Sequence, residues 1–236
     1  MNQLNETTLL ECVLYRDEDI IVLNKPAGIA VHKGRGEGGN LEALFPALTF
    51  GMDRVPALAH RLDKDTSGCL ILGRHRKALA HLGKLFQRGA ISKTYFAIVV
   101  GNPPDEGRID FALARRTGDK RSWIMKVADD GAKDGDPSST LFKVLGRGDG
   151  LAWLELKPLT GRTHQLRVHC AASGFPIAGD TLYGGDTSRA AARMVHLHAR
   201  EITIPQKRDK PALTLNAPVP NYMHTLFEAC GFRPYV

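Results

Sequence analysis

The sequence predicts an α+β fold: a mixed, mostly antiparallel sheet with flanking helices and a central cleft. Three observations carry this. Short apolar runs bounded by turn residues outnumber helical segments, and they do not alternate with helices as βαβ units would. One run, Tyr95 to Val100, is apolar at every position, as a central strand covered on both faces would be. Two segments, RKALAHLGKLFQR and TGRTHQLRVHCAASG, read as helices closed by Gly89 and Gly174.

Taken in order, Ile20 to Leu23 form a compact apolar run stopped by Asn-Lys-Pro. Pro26 and Gly28 turn the chain toward Ile29 to Val31, which predicts a two-strand unit. GRGEGGN, residues 34–40, is a loop without the order of a phosphate-cradling motif. HRLDKDTSG follows, with Thr66-Ser67-Gly68 read as a turn before a strand at Cys69 to Leu72. In the helix behind it, Leu79, Leu82, Leu85 and Phe86 share one face and Lys77, Lys84 and Arg88 lie off it.

Residues 101–150 are polar and rich in Gly, Asp and Lys, and GAKDGDPSS reads as an exposed hairpin tip. LAWLELKPL alternates, with Leu154 and Leu156 against Glu155 and Lys157. MVHLHAREITI is another strand whose apolar parity changes near Ala199 to Glu201, which predicts a bulge. There is no repeat, low-complexity linker or composition boundary, so residues 15–236 read as one domain behind a leader at 1–14.

Composition narrows the classes. The chain has 236 residues, is 43% hydrophobic and 24% charged, and is neither disordered nor fibrous in type. A formal charge of +7 admits an anionic partner without naming it. Cys12, Cys69, Cys170 and Cys230 are far apart with no CxxC pair, so they read as reduced thiols. No signal-peptide order opens the chain, and no apolar run approaches the ~18 residues of a membrane span. A cytoplasmic protein off the membrane is expected.

HRLDKDTSG crowds Asp63 and Asp65 among three cations between two apolar segments. Asp63 sits on a loop between buried elements, where catalytic groups are commonly mounted. Both carboxylates also suit plain turn formation. In TGRTHQLRVH, His164 and Arg167 are helical i,i+3 neighbours, and Arg162 at the helix start could hold an anion with free backbone amides. Arg167 offers a forked donor pair to a buried carboxylate, or is a surface arginine on an amphipathic helix. His164, His169, Cys170, His196 and His198 match no common zinc spacing, so no metal is expected and the strand histidines read as hydrogen-bonded. Asp63-Lys64-Asp65-Thr66 partly resembles the motif of magnesium-dependent aspartyl-phosphate phosphatases, but no apolar strand leads directly into it.

NKPAGIAVHKG, HRLDKDTSG, SKTYFAIVVG, LTGRTHQLRVHCAASGFPIAGDTLYG and VHLHA occur in one order over roughly Tyr15 to Pro205. This series resembles the RluA-type pseudouridine synthases. The paired presence of HRLD-x-x-TSG and TGRTHQ-x-R-x-H is highly specific. The resemblance implies a pseudouridine-synthase-like domain at 15–236 that isomerises uridine in structured RNA, ribosomal large-subunit RNA or tRNA or both. It implies no cofactor, no metal and a monomer.

By the same resemblance Asp63 is the catalytic aspartate, Arg167 its cationic partner, and Tyr95 the aromatic that stacks on the target base near C5. Without that pattern Tyr95 reads as a core aromatic. Arg61 matches the residue that fills the place of the flipped base, and Arg162, His60 and Thr66 join it as RNA contacts. Arg115, Arg116, Lys120 and Arg121 form an expected backbone-contact patch. Two departures stand out. Many relatives carry an S4-type RNA-binding domain ahead of this one, which residues 1–14 cannot hold. The stretch 118–140 follows the pattern loosely. A non-catalytic RNA-binding module is the second reading, and the phosphatase the third.

Overall fold

The computed structural model describes residues 5–32, 39–116, 124–129, 135–206 and 210–233. The chain forms two compact units, Met1–Ser92 with Ala199–Pro218, and Lys93–His198 with Val219–Val236. Lys120 and Arg121, and residues 34–38 and 131–134 of the two expected loops, lie outside the described residues.

The first unit opens with helix α1 (Glu6–Glu11), capped by Asn5, whose side chain accepts from Thr8 N–H. Strands β1 (Val13–Arg16) and β2 (Ile20–Lys25) pair antiparallel. The partner of β2 in this hairpin is therefore Val13–Arg16, not Ile29 to Val31. Only a single parallel bridge, Ala30 with Asn40, forms there, because the Ile29 carbonyl is taken by a side chain. A 3₁₀ segment (Leu41–Leu48) leads to β3 (Ala57–Leu58) and β4 (Ser67–Gly73), and helix α2 (Arg76–Gln87) follows. Leu82, Leu85 and Phe86 of α2 pack on Ile20, Val22, Cys69 and Ile71, as the helical spacing predicts. Gly89 takes φ 64 just beyond the helix.

The second unit contains β5 (Ser92–Val100), β6 (Glu106–Ile109), the hairpin β7 (Leu113–Arg115) and β8 (Met125–Val127), β9 (Thr140–Gly148) and β10 (Leu151–Pro158). The order β5-β10-β9-β6 runs antiparallel at each pairing. Asp149 and Gly150, both at positive φ, make the turn between β9 and β10. The central-strand expectation for β5 holds: Ala97 and Val99 enter one cluster with Leu154 and Leu156, and Ile98 enters another with Met223 and Phe227. GAKDGDPSS is not simply an exposed tip. Asp136 bridges Leu113, while Ser138 and Ser139 are buried, Ser138 against Phe111 O and His169.

Helices α3 (Gln165–Ala172) and α4 (Gly185–Ala191) complete this stretch. Strand β11 (Leu197–Ile204) begins in the second unit and continues in the first, where it adjoins β4 and β12 (Leu213–Asn216). Its parity change at Ala199 to Glu201 falls where the strand changes units, and its register with β12 is regular from Glu201 to Ile204. Helix α5 (Asn221–Ala229) belongs to the second unit. All four cysteines are free thiols. Among the described residues, no helix is long and apolar enough to cross a membrane.

Candidate active site

HRLDKDTSG folds as a tight loop running into β4. The turn lies at Asp63 to Thr66, where Thr66 N–H donates to Asp63 O at 3.2 Å, and β4 already starts at Ser67. The turn therefore sits earlier than Thr66-Ser67-Gly68. Gly68 serves a different need: it has φ 106, and a β-carbon there would overlap the Ala199 carbonyl of β11. Leu62 is buried, Asp63 and Asp65 are half-buried, and Arg61 is exposed. Thr66, expected to touch RNA, is 2% exposed. His60 accepts a hydrogen bond from Ile71 N–H at its Nε2 (3.0 Å), and its ring lies 4.8 Å from that of Phe86. It ties the start of the loop to β4 and α2.

Beneath the loop is a residue to which the sequence reading gave no role. Lys25, fully buried at the end of β2, donates from Nζ to the carbonyls of Pro26 (2.8 Å), Ile29 (2.9 Å) and Lys64 (3.0 Å). Gly28 N–H reaches the same Lys64 carbonyl. Three acceptors match the three hydrogens of an ammonium. Burial draws the Lys25 pKa down to about 7, while the charges of Asp65 and then Asp63 push it back up. The two carboxylates thus share their surroundings with a buried cation from β2. A signal for it was present: Lys25 is in step with Ile21 and Leu23, both fully buried, along an alternating strand.

In the second unit, Tyr95 lies half-buried on β5 opposite Leu156, packed against the cluster of Ala97 and Val99. Helix α3 starts one residue later than the i,i+3 argument assumed. His164 is its N-cap in a left-handed conformation (φ 53), so it does not share a helical face with Arg167. The entry to α3 is organised by Gln165. Its Oε1 accepts from Arg162 N–H (3.0 Å) and Thr160 Oγ1 (2.7 Å), and its Nε2 donates to Ser139 O and Thr140 Oγ1. The Arg162 amide is therefore occupied, and its guanidinium faces Pro137 O and Asp136.

Arg167 is a buried arginine, 5% exposed, and not a surface one. It forks onto Asp180: Nε to Oδ2 and Nη2 to Oδ1, both 2.7 Å. Asp180 also accepts from the amides of Leu182 and Tyr183. The Arg167 guanidinium carbon stands 5.2 Å from the centroid of the Tyr183 ring. Tyr183 Oη bonds His164 Nδ1 (2.6 Å) and accepts from Met125 N–H of β8 (3.1 Å). Asp180 and Tyr183 lie in the quoted FPIAGDTLYG segment, but no spacing rule links them to α3.

The remaining histidines are structural. His169 lies between Ser138 Oγ and Thr140 Oγ1, and burial lowers its pKa against the pull of the Phe111 carbonyl and Asp110. His196 donates through Nδ1 to Met194 O, while its buried Nε2 has no partner, so the expectation of a satisfied histidine is met at one nitrogen only. Arg115 and Arg116 are exposed at the end of β7.

Comparison with known proteins reads this arrangement in one direction. The sequence pattern of the RNA pseudouridylate synthase family matches residues 19–172. An uncharacterized RNA pseudouridine synthase of Zymomonas mobilis is 40% identical over 214 residues, spanning 90% of this chain and 95% of that protein. The ribosomal large subunit pseudouridine synthase C of Vibrio vulnificus is 35% identical over 217 residues, covering 89% of this chain and 66% of its own length. Among solved structures, human RNA pseudouridylate synthase domain containing 4 superimposes with a TM-score of 0.79 at 27% identity, over 95% of this chain and 94% of that one.

Proposed function

The chain belongs to the RNA pseudouridylate synthase family, in its RluA type, and from that premise we propose that it isomerises a uridine of large-subunit ribosomal RNA with Asp63 as the catalytic carboxylate. The reaction is an isomerisation. The C1′–N1 bond of the uridine breaks, the base turns, C5 joins C1′, and the proton on C5 is released as one is taken up at N1. No redox partner is needed and the mass of the RNA is unchanged.

The observation that carries the assignment of Asp63 is its place on a turn anchored from β2 by the buried ammonium of Lys25. A carboxylate that must act in a closed pocket has to be held in one orientation, and cationic surroundings favour its ionised form. Tyr95 takes the role of the aromatic that stacks on the target base, Arg167 that of the site's buried cation, and Arg61 that of the plane that enters the vacated stack. The choice of large-subunit RNA rests on the name of the Vibrio vulnificus relative. We write the enzyme as a monomer without metal or organic cofactor, working in the reducing cytoplasm that keeps four thiols free.

The test is tritium release from RNA labelled at uridine C5, with large-subunit ribosomal and transfer RNA transcripts side by side. Release from the ribosomal transcript, lost in Asp63→Asn while RNA binding persists, is the expected result. Full turnover by Asp63→Asn would remove the aspartate from the mechanism. Release from transfer RNA alone would move the substrate to that class.

A further inference from the structure

Lys93 stands two residues before Tyr95 on β5, so strand alternation puts its side chain on the face that carries Tyr95, Ala97 and Val99. It is half-buried. Its ammonium lies beside the bare backbone of Gly161, where an added β-carbon would stand 3.7 Å from Nζ. Among the described residues, no carboxylate, carbonyl or hydroxyl accepts a hydrogen bond from it. Other lysines and arginines of this unit are differently placed: Lys126 meets Asp129, Lys157 meets Glu155, and Arg162 turns to Asp136. Burial alone pulls the Lys93 pKa down, with no anion opposing it, whereas Lys25 has three carbonyls and two aspartates.

A cation withdrawn from water without an acceptor is unfavourable in the free protein. An incoming anion would remove that cost. We propose that Lys93 and the open backbone at Gly161 form a binding site for one phosphate of the RNA chain, the phosphate next to the uridine whose base Tyr95 receives. The site rests on the reading of the chain as a uridine isomerase with Tyr95 at the base. It deepens that reading by naming the group that fixes the target nucleotide along its backbone. Strand geometry sets the spacing, since residues i and i+2 are about 6.6 Å apart along a strand. A phosphate held at one and a base held at the other suit neighbouring parts of one nucleotide. Gly161 matters because a larger side chain there would cover the ammonium.

The experiment is a binding cycle on the transcript from which the wild-type protein releases tritium. Lys93→Met and Lys93→Arg are combined with RNA carrying one uncharged methylphosphonate at each phosphate flanking the target uridine in turn. Lys93→Met should weaken RNA binding about tenfold and flatten the dependence of log Kd on log salt by about 0.7 to 1. It should melt no lower than the wild type, because an unpaired cation has been removed. Lys93→Arg should recover most of the affinity. One of the two methylphosphonates should weaken wild-type binding as much as Lys93→Met does, and should cost that variant nothing more. Penalties that add, or an unchanged salt slope in Lys93→Met, would overturn the phosphate site while wild-type tritium release kept the isomerase reading intact. Absence of release from the wild-type protein would instead overturn that reading, and the site with it.

Discussion

Lys25 Nζ donates to the main-chain carbonyl of Lys64 at 3.0 Å, so the residue that follows Asp63 is held from a different strand by a fully buried charge. Its pKa, about 7 against an ordinary 10.5, makes that charge a term in stability. Below pH 7 the folded and unfolded chains both carry the proton, and the cost of burying it is fully present. Between pH 7 and 10.5 only the unfolded chain keeps it, so stability rises with pH, by at most ~1.4 kcal/mol per unit. Wild type should gain on Lys25→Met in denaturant midpoint between pH 7 and 8.5. Parallel midpoints in the two proteins would show that the amine titrates alike in both states.

Removing the partner of Arg167 should be severe. Asp180→Ala leaves a guanidinium, 5% exposed, without its forked acceptor and frees two amides that Asp180 had satisfied. A loss of about 3–5 kcal/mol is expected from breaking a buried pair on one side. Equilibrium unfolding measures it. A loss below 1 kcal/mol would mean that Arg167 finds another acceptor at no cost.

Tyr183→Phe separates the ring of Tyr183 from its hydroxyl. The ring stays beside Arg167, while Met125 N–H loses its acceptor and His164 its partner. The expected cost is about 1–3 kcal/mol, and it should appear in amide exchange as faster opening of β8. If exchange at Met125 were unchanged, the hydroxyl would not be what fastens that strand.

Gly68→Ala tests the approach of β11 to β4. With φ 106 and the Ala199 carbonyl where a methyl group would stand, the substitution should cost at least about 1–3 kcal/mol in strain alone. Thermal melting reads this directly, and an unchanged melting temperature would show that β11 can move away.

Much of this was legible before any coordinates. The central strand at Tyr95 to Val100, α2 with Gly89, α3 with Gly174 and the alternation of β10 all follow from local periodicity, and local periodicity survives packing. What escaped depends on distant chain. Val13–Arg16 looked like leader because its partner is needed to make it a strand. Gly68 looked like a turn residue because the strand pressing on it comes from Ala199. Asp180 and Tyr183 escaped because a carboxylate thirteen residues from an arginine carries no helical or strand period. Lys25 escaped because a lysine at a strand end is usually solvated, although its parity with Ile21 and Leu23 pointed inward.

The path of β11 through both units bears on how the protein is made. Cys69 in β4 donates its thiol hydrogen to the Leu215 carbonyl, 146 positions later. The N-terminal half of the first unit therefore leaves the ribosome long before Ala199–Pro218, the segment that completes its sheet, has been synthesised. During that interval β4 has no β11 beside it, and its seven buried residues wait in a nascent chain. A protein built this way reaches its fold late in translation, with exposed strand edges in the meantime. Slow elongation past residue 92 should lengthen its dependence on chaperones more than slow elongation past residue 218.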